Sequence, residues 1–141
     1  MPVLRNEDVP AHHASKLVVH LLHISEIIFP KLNAIGTFGN LVMTAAILRQ
    51  GSSASPELSR KLPFVASSLA LSIGVTIYAL TVMVPVNSTM KEMASRMKRD
   101  ESDKEAARVF RECQARWQRN NMGRALLMIA GAVVSIIGLI A

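Results

Sequence analysis

The chain has 141 residues, enough for one domain, and half of them are apolar while 18% are charged. That balance excludes a disordered or solvating chain, and the single cysteine, Cys113, excludes a disulfide framework or a cysteine-based zinc site. Aromatic residues make up only 4%, too few for base-stacking platforms, so the net charge of +6 is not read as a nucleic-acid footprint.

Residues 1–15 are polar and lack the basic, apolar and small-residue order of a signal peptide. His12 and His13 in this tail read as solvated. The first apolar stretch, Leu17 to Leu48, is interrupted by His20, His23, Glu26 and Lys31. As one helix its 32 residues would reach about 48 Å, too long for one upright crossing of a hydrocarbon layer about 30 Å thick. Pro30 deletes a helix hydrogen bond and crowds the preceding turn. The stretch is therefore read as an amphipathic interfacial helix over 16–28 and a first span over 29–48.

Gly51-Ser-Ser-Ala-Ser-Pro56 is a turn-rich loop. Leu62 to Val86 then runs 25 residues without a charge, long enough for a second span. Pro63 falls in its first turn by this reading, where a missing N–H costs least, and Pro85 bends its end. Residues 88–121 are polar and helical by composition, and Ser102-Asp-Lys-Glu105 fits a capping box. No proline follows, so one long helix is expected to leave this basic cytoplasmic segment and become the third span over 122–141. Ala66, Ala70 and Gly74 on the second span, and Gly131 and Ser135 on the third, recur every four residues and favour close helix packing. The expected fold is an all-α integral membrane helical bundle with three spans, the interfacial helix and the long cytoplasmic helical segment.

Charge sets the expected orientation. The N-terminus and the 88–121 side hold twelve Lys and Arg, counting Arg124 at the boundary, against three over 49–61. The positive-inside rule places the N-terminus in the cytoplasm and the C-terminus opposite.

Three groups of residues could carry chemistry. Trp117, Asn121, Arg124 and Met128 are spaced 4, 3 and 4 and share a helical face, which Phe110 and Cys113 extend upstream. They read either as an aromatic-belt tryptophan with a snorkelling arginine, or as an anion-stabilising wall. Asn87 follows Pro85 at the end of the second span, as a helix cap or as a site residue. His20, His23 and Glu26 spread over about a third of the helix circumference by the 3.6-residue period, which suits a catalytic base or polar wall better than a metal. Polar and ionisable groups are costly in membrane segments. Glu26, Asn87, Asn121 and Arg124 all fall on the cytoplasmic side of the three-span topology, which points to a site at that mouth of the bundle.

Val84-Pro85-Val86-Asn87, a polar helical stretch and then Trp117-x-x-x-Asn121-x-x-Arg124 before an apolar helix resemble the anthrone oxygenase-like family, small integral membrane proteins of polyketide pathways, many of them fungal. His23-Ile-Ser-Glu26, with Pro30 and Leu32, is similar to that family's second span. The resemblance covers about residues 20–141. Family members usually have four spans, so here residues 1–28 replace the first or a second copy completes the bundle.

The resemblance implies oxidation of an anthrone-type aromatic polyketide to an anthraquinone by O2, with no metal, flavin or other cofactor. Such chemistry needs a base, donors for a developing oxyanion, and an apolar slot for flat rings. His20, His23 or Glu26 would be the base. Arg124, Asn87, Asn121 and the Trp117 N–H would hold the oxyanion, with the Asn87 and Asn121 carbonyls sharing the donors of Arg124. Met83, Met90 and Met128 would line the slot or simply pack. The expected partners are this substrate, O2, membrane lipid and a second copy of the chain, in an endoplasmic reticulum or vesicle membrane. The rival reading is a small non-catalytic accessory or scaffold protein whose basic helix meets anionic lipid.

Overall fold

The structure is a computed structural model that describes residues 10–50 and 55–140. Helix α1 spans Ala11–Gln50, α2 spans Pro56–Tyr78, a π-helical turn follows over Ala79–Met83, α3 spans Val84–Arg99 and α4 spans Lys104–Ile140. The described residues contain no strand. Three helical stretches, Ala11–Gln50, Pro56–Arg99 and Lys104–Gly138, are long and apolar enough to cross a membrane. The fold is an all-α membrane bundle.

Local chemistry explains the element ends. Helix α1 begins within the stretch expected to be a polar tail: Ala14 and Ser15 are buried, and the Ser15 hydroxyl donates to the His12 carbonyl at 2.8 Å. His13 is exposed as expected, whereas His12 is partly covered, with Nε2 3.8 Å from the Glu101 carboxylate. Pro30 lies inside α1, which stays helical through it. Of the loop expected over 51–56, residues 51–54 lie outside the described residues. Helix α2 starts earlier than expected. The Ser55 hydroxyl accepts the Leu58 N–H at 3.3 Å, so Ser55 caps the helix and Pro56 takes the first-turn position assigned to Pro63.

Pro85 has no N–H for the Thr81 carbonyl, and its ring crowds that turn. The helix absorbs this as the π turn over Ala79–Met83 and continues as α3. The cap of α4 is Asp103, not Ser102. Asp103 Oδ1 accepts the Ala106 N–H at 2.8 Å, while the Ser102 hydroxyl turns back to Asp100 Oδ1 at 2.6 Å. The acidic side chain is better placed at the positive helix start. Arg96 donates to Asp103 Oδ2 from both Nε and Nη2, at 3.1 and 2.9 Å. The Ala106 N–H, followed by Arg96, holds the Asp103 carboxyl below its ordinary range.

The chain folds as two compact units. The first comprises the chain up to Ile28 with Ala79–Met122. Its core is conventional: Val18 and Leu22 of α1, Met90, Met93 and Met97 of α3, and Ala106, Phe110 and Cys113 of α4 are buried together. Met90 and Met97 recur at one-face spacing, and Phe110 is fully buried. The upstream end of the Trp117 stripe and two of these methionines therefore serve packing.

The second unit comprises Phe29–Tyr78 with Gly123–Ala141. Here large apolar residues stay exposed, among them Ile35, Phe38, Leu41, Ile77, Leu126 and Ile136. Its interior is small and polar. The Ser68 hydroxyl, 2% exposed, meets the Ser135 hydroxyl at 2.6 Å and accepts the Asn40 amide at 3.0 Å. An apolar outside with polar side chains bonded between helices is what a lipid environment selects. The packing face of α2 is the one bearing Ser68, Ser72 and Val75. The expected Ala66–Ala70–Gly74 row lies off it, for Ala70 is exposed and a side chain at Gly74 would meet nothing within 4 Å.

Candidate functional site

In the first unit, Glu26 reaches from α1 to α3. Its Oε1 accepts the Asn87 amide N–H at 3.1 Å, and its Oε2 accepts the Lys91 ammonium at 2.5 Å. Asn87 and Lys91 are four residues apart on α3, so the helical repeat points both at the same carboxylate. The carboxylate and ammonium side chains are 36% and 39% exposed, so an incoming molecule can reach the pair. Asn87 itself is 7% exposed. The carboxylate is anchored from one side and open on the other.

Two buried acceptors complete the picture. Asn87 Oδ1 and Asn121 Oδ1 are both covered, and neither has a hydrogen-bond partner. The expectation that they would share the donors of Arg124 is therefore not met. A buried amide oxygen without a partner is costly, and the cost is recovered when a hydroxyl, water or other donor arrives. With the Glu26 carboxylate, this unit offers acceptors on α1, α3 and α4, and Lys91 is the cationic donor paired with Glu26.

The remaining expected residues take different places. His20 and His23 are exposed on α1. Of the three base candidates, only Glu26 is drawn into a cluster of expected site residues. Trp117 is half-buried against the core, beside a gap of about 10 Å³ lined by Val18, Leu22 and Gln114. A space that size holds one water at most, so the indole has a packing role here. Arg124 belongs to the second unit, where its guanidinium carbon lies 4.3 Å from the centroid of the Phe29 ring. A cation over an aromatic face is stabilised by the ring quadrupole, which steadies the guanidinium plane. Met83 and Met90 are buried, and Met128 borders a cleft in the second unit. Among the described residues, no group of three His, Cys, Asp or Glu is placed to hold a metal ion.

Lys91 was not among the residues singled out from sequence, although its position one turn after Asn87 was the available signal. The cleft was missed as well. It occupies about 220 Å³ and is lined by Asn33, Gly36, Asn40, Ser68, Ser135 and Met128 among others. Its signal was a polar row along α1, Asn33, Thr37, Asn40 and Thr44, spaced 4, 3 and 4 within an otherwise apolar run.

The geometry thus defines a helical membrane protein with an anchored, reachable carboxylate on Glu26. The family model described as anthrone oxygenase matches residues 20–134, and the chain belongs to that family. Membership makes the protein oxygenase-like at family level. Neither a curated protein nor a solved structure matches the chain.

Proposed function

We propose that this protein oxidises an anthrone-type aromatic polyketide to the corresponding anthraquinone with O2 as the oxidant. The observation that supports the reading most directly is the Glu26 carboxylate, held by Asn87 and Lys91 inside the family-matched region. The doubly benzylic CH2 of the substrate gives a proton to the carboxylate and becomes an electron-rich anthrolate. The anthrolate donates its electrons to O2, and a C–O bond forms at the same carbon. The protonated Glu26 carboxyl returns its proton to the resulting peroxide anion, and loss of water from that hydroperoxide leaves the second carbonyl. One oxygen atom ends in the quinone and the other in water. The electrons come from the substrate anion, so the reaction needs no metal and no organic cofactor.

Each group has a task in this reading. Glu26 is the base, steadied by its two partners. Lys91 offsets the negative charge that develops on the anthrolate oxygen. Asn87 Oδ1 and Asn121 Oδ1 accept hydrogen bonds from ring hydroxyls, and Arg124 keeps the role that the family resemblance implies for it, a donor to a developing oxyanion. His20, His23 and Trp117 have no step assigned to them in this reading.

The same reading puts the protein in an endoplasmic reticulum or vesicle membrane, and the charge bias supports a cytoplasmic N-terminus. Its partners are the substrate, O2, membrane lipid and a second copy of the chain, and nucleic acid is not among them. A C-terminal tag protected from protease in sealed vesicles is the outcome expected for this orientation. The reaction is tested by supplying an anthrone to the purified protein in air and following quinone absorbance and oxygen uptake. Quinone formation no faster than in buffer refutes it.

A further inference from the structure

We propose that Arg116 and Arg119 of α4 form a binding site for the headgroup of an anionic phospholipid, at the level where this helix enters the membrane. The proposal is independent of the oxygenase reading, because it concerns the outward face of α4 and not Glu26. That face is exposed along its whole length at alternating spacings of 4 and 3, and its chemistry changes once. Arg108, Glu112, Ala115 and Arg119 come first, and Met122, Leu126, Ile129, Val133, Ile136 and Ile140 follow.

The apolar part of the row measures the membrane. At 1.5 Å per residue, Met122 to Ile140 covers about 27 Å, close to a hydrocarbon layer about 30 Å thick. By the same rise Arg119 stands about 4.5 Å outside Met122, and Arg116 about 9 Å. The headgroup band is about 5–8 Å thick on each side, so Arg119 falls within it and Arg116 at its outer edge. Arg108, about 21 Å out, lies beyond it.

Charge gives the class of lipid. From Cys113 to the last residue the sequence has no Asp or Glu, and Arg116, Arg119 and Arg124 are its only charged side chains. Arg124 rests over Phe29. Cations beside a span often serve only as topology signals. A topology signal can be paired, and other cations of this unit are: Lys91 with Glu26, Arg96 with Asp103 and Arg108 with Glu112. Arg116 and Arg119 are exposed, and among the described residues neither has a salt-bridge partner. They are neighbours one turn apart, so their like charges repel until an anion arrives. Phosphatidylcholine carries its own cation and brings no net charge. A phospholipid with net negative charge relieves the repulsion and leaves its acyl chains beside Met122 and Leu126.

The test is native mass spectrometry of the full chain in neutral detergent, titrated with phosphatidylserine or with phosphatidylcholine of the same acyl chains. Each arginine beside anionic lipid contributes about fivefold, so the first phosphatidylserine should bind about 25-fold more tightly than the first phosphatidylcholine. Phosphatidylglycerol, of equal charge, should match phosphatidylserine. Arg116→Gln and Arg119→Gln should each remove about fivefold of the preference, and the double variant all of it. Lysine at both positions should keep it, because a point charge suffices for this attraction. Raising ammonium acetate from about 20 to about 200 mM should shrink it through screening. Arg108→Gln, paired and outside the headgroup band, should leave it unchanged. Melting temperature should stay at the wild-type value in every variant, since these side chains are exposed. Equal affinity for serine and choline lipids, or a preference that survives in the double glutamine variant, would leave the two arginines as topology signals and overturn the proposal. Arginine-dependent binding of a soluble poly-glutamate peptide with no lipid preference would assign them to an acidic protein and overturn it too.

Discussion

Glu26 and Lys91 sit on different helices and meet at 2.5 Å, with the Asn87 amide on the second carboxylate oxygen. Both charged side chains are more than a third exposed, so the pair stabilises the fold by only about 0–1 kcal/mol. A contact this weak in stability holds the one expected base that the fold gathers with another expected site residue, so its main value is positional. Glu26→Gln is near in shape and can no longer take a proton. Turnover with an anthrone should fall by about 10²–10⁴, the usual contribution of a general base, with a small change in melting temperature. Wild-type rates in a folded Glu26→Gln protein would remove Glu26 from the mechanism.

Arg124 is the second residue whose loss should separate activity from stability. Its guanidinium rests over the Phe29 ring, so the fork of N–H donors has a defined plane. Arg124→Ala should lower kcat by about 10²–10³ with little change in KM, as when one oxyanion donor is removed. Arg124→Lys should rescue poorly, since a point charge replaces a planar fork. Phe29→Leu should cost less, because it removes the support and keeps the donors. Arg108, exposed on the same helix, is the control and should be silent. Full turnover in Arg124→Ala would leave this residue as a membrane anchor only.

The sequence shows these features unevenly, and the reasons are physical. Charge-free runs announce membrane helices because a hydrocarbon layer has a fixed thickness, and they appear as three long apolar helices. Pro63 misled the start of α2 because a proline is tolerated within a helix when Ser55 and Pro56 already supply a better beginning. Glu26 could not be separated from His20 and His23 by spacing, since only the arrival of α3 decides which of them finds a partner. Asn87 and Lys91 were visible as one turn of one helix, but their shared target sits 65 residues from Lys91 in the chain. The polar row from Asn33 to Thr44 was written plainly at helical spacing; what it borders is a matter of how three helices meet.

The turn between α3 and α4 gives a pH-dependent prediction. Asp103 caps α4 through the Ala106 N–H and pairs with Arg96, and both hold its carboxyl below the ordinary range. A lowered folded value means that the unfolded chain binds the proton more readily, so the carboxylate stabilises the fold above its unfolded value of about 3.9. That contribution fades as pH falls through the lower folded value. Asp103→Ala should therefore melt at a lower temperature than wild type at pH 7, and the gap should shrink below about pH 4. Arg96→Met should reproduce part of the loss. A gap that stays constant down to pH 2 would mean that the carboxylate charge is irrelevant to the turn.

Gly138 offers the sharpest test of how the second unit packs. A Cβ added there would lie 2.7 Å from the Phe64 Cβ, closer than real carbon atoms come. The obstacle sits next to the backbone of α2, so no flexible side-chain end can swing away. Relief requires the helices themselves to part. Gly138→Ala should therefore destabilise the protein by about 1–3 kcal/mol, the usual cost of overpacking. Gly74, inside α2, makes the opposite case: a Cβ there meets nothing within 4 Å. Gly74→Ala should be neutral or stabilising by up to about 1 kcal/mol, because alanine loses less backbone freedom in a helix. Both variants change one glycine to one alanine in a membrane helix, so lipid and helix propensity act on them alike. Thermal denaturation in one detergent compares them directly. Equal melting temperatures for the two would mean that α2 and α4 do not pack at Phe64 and Gly138 as described. A lower value for Gly138→Ala, recovered when Phe64→Ala is added, would locate the crowding at that contact.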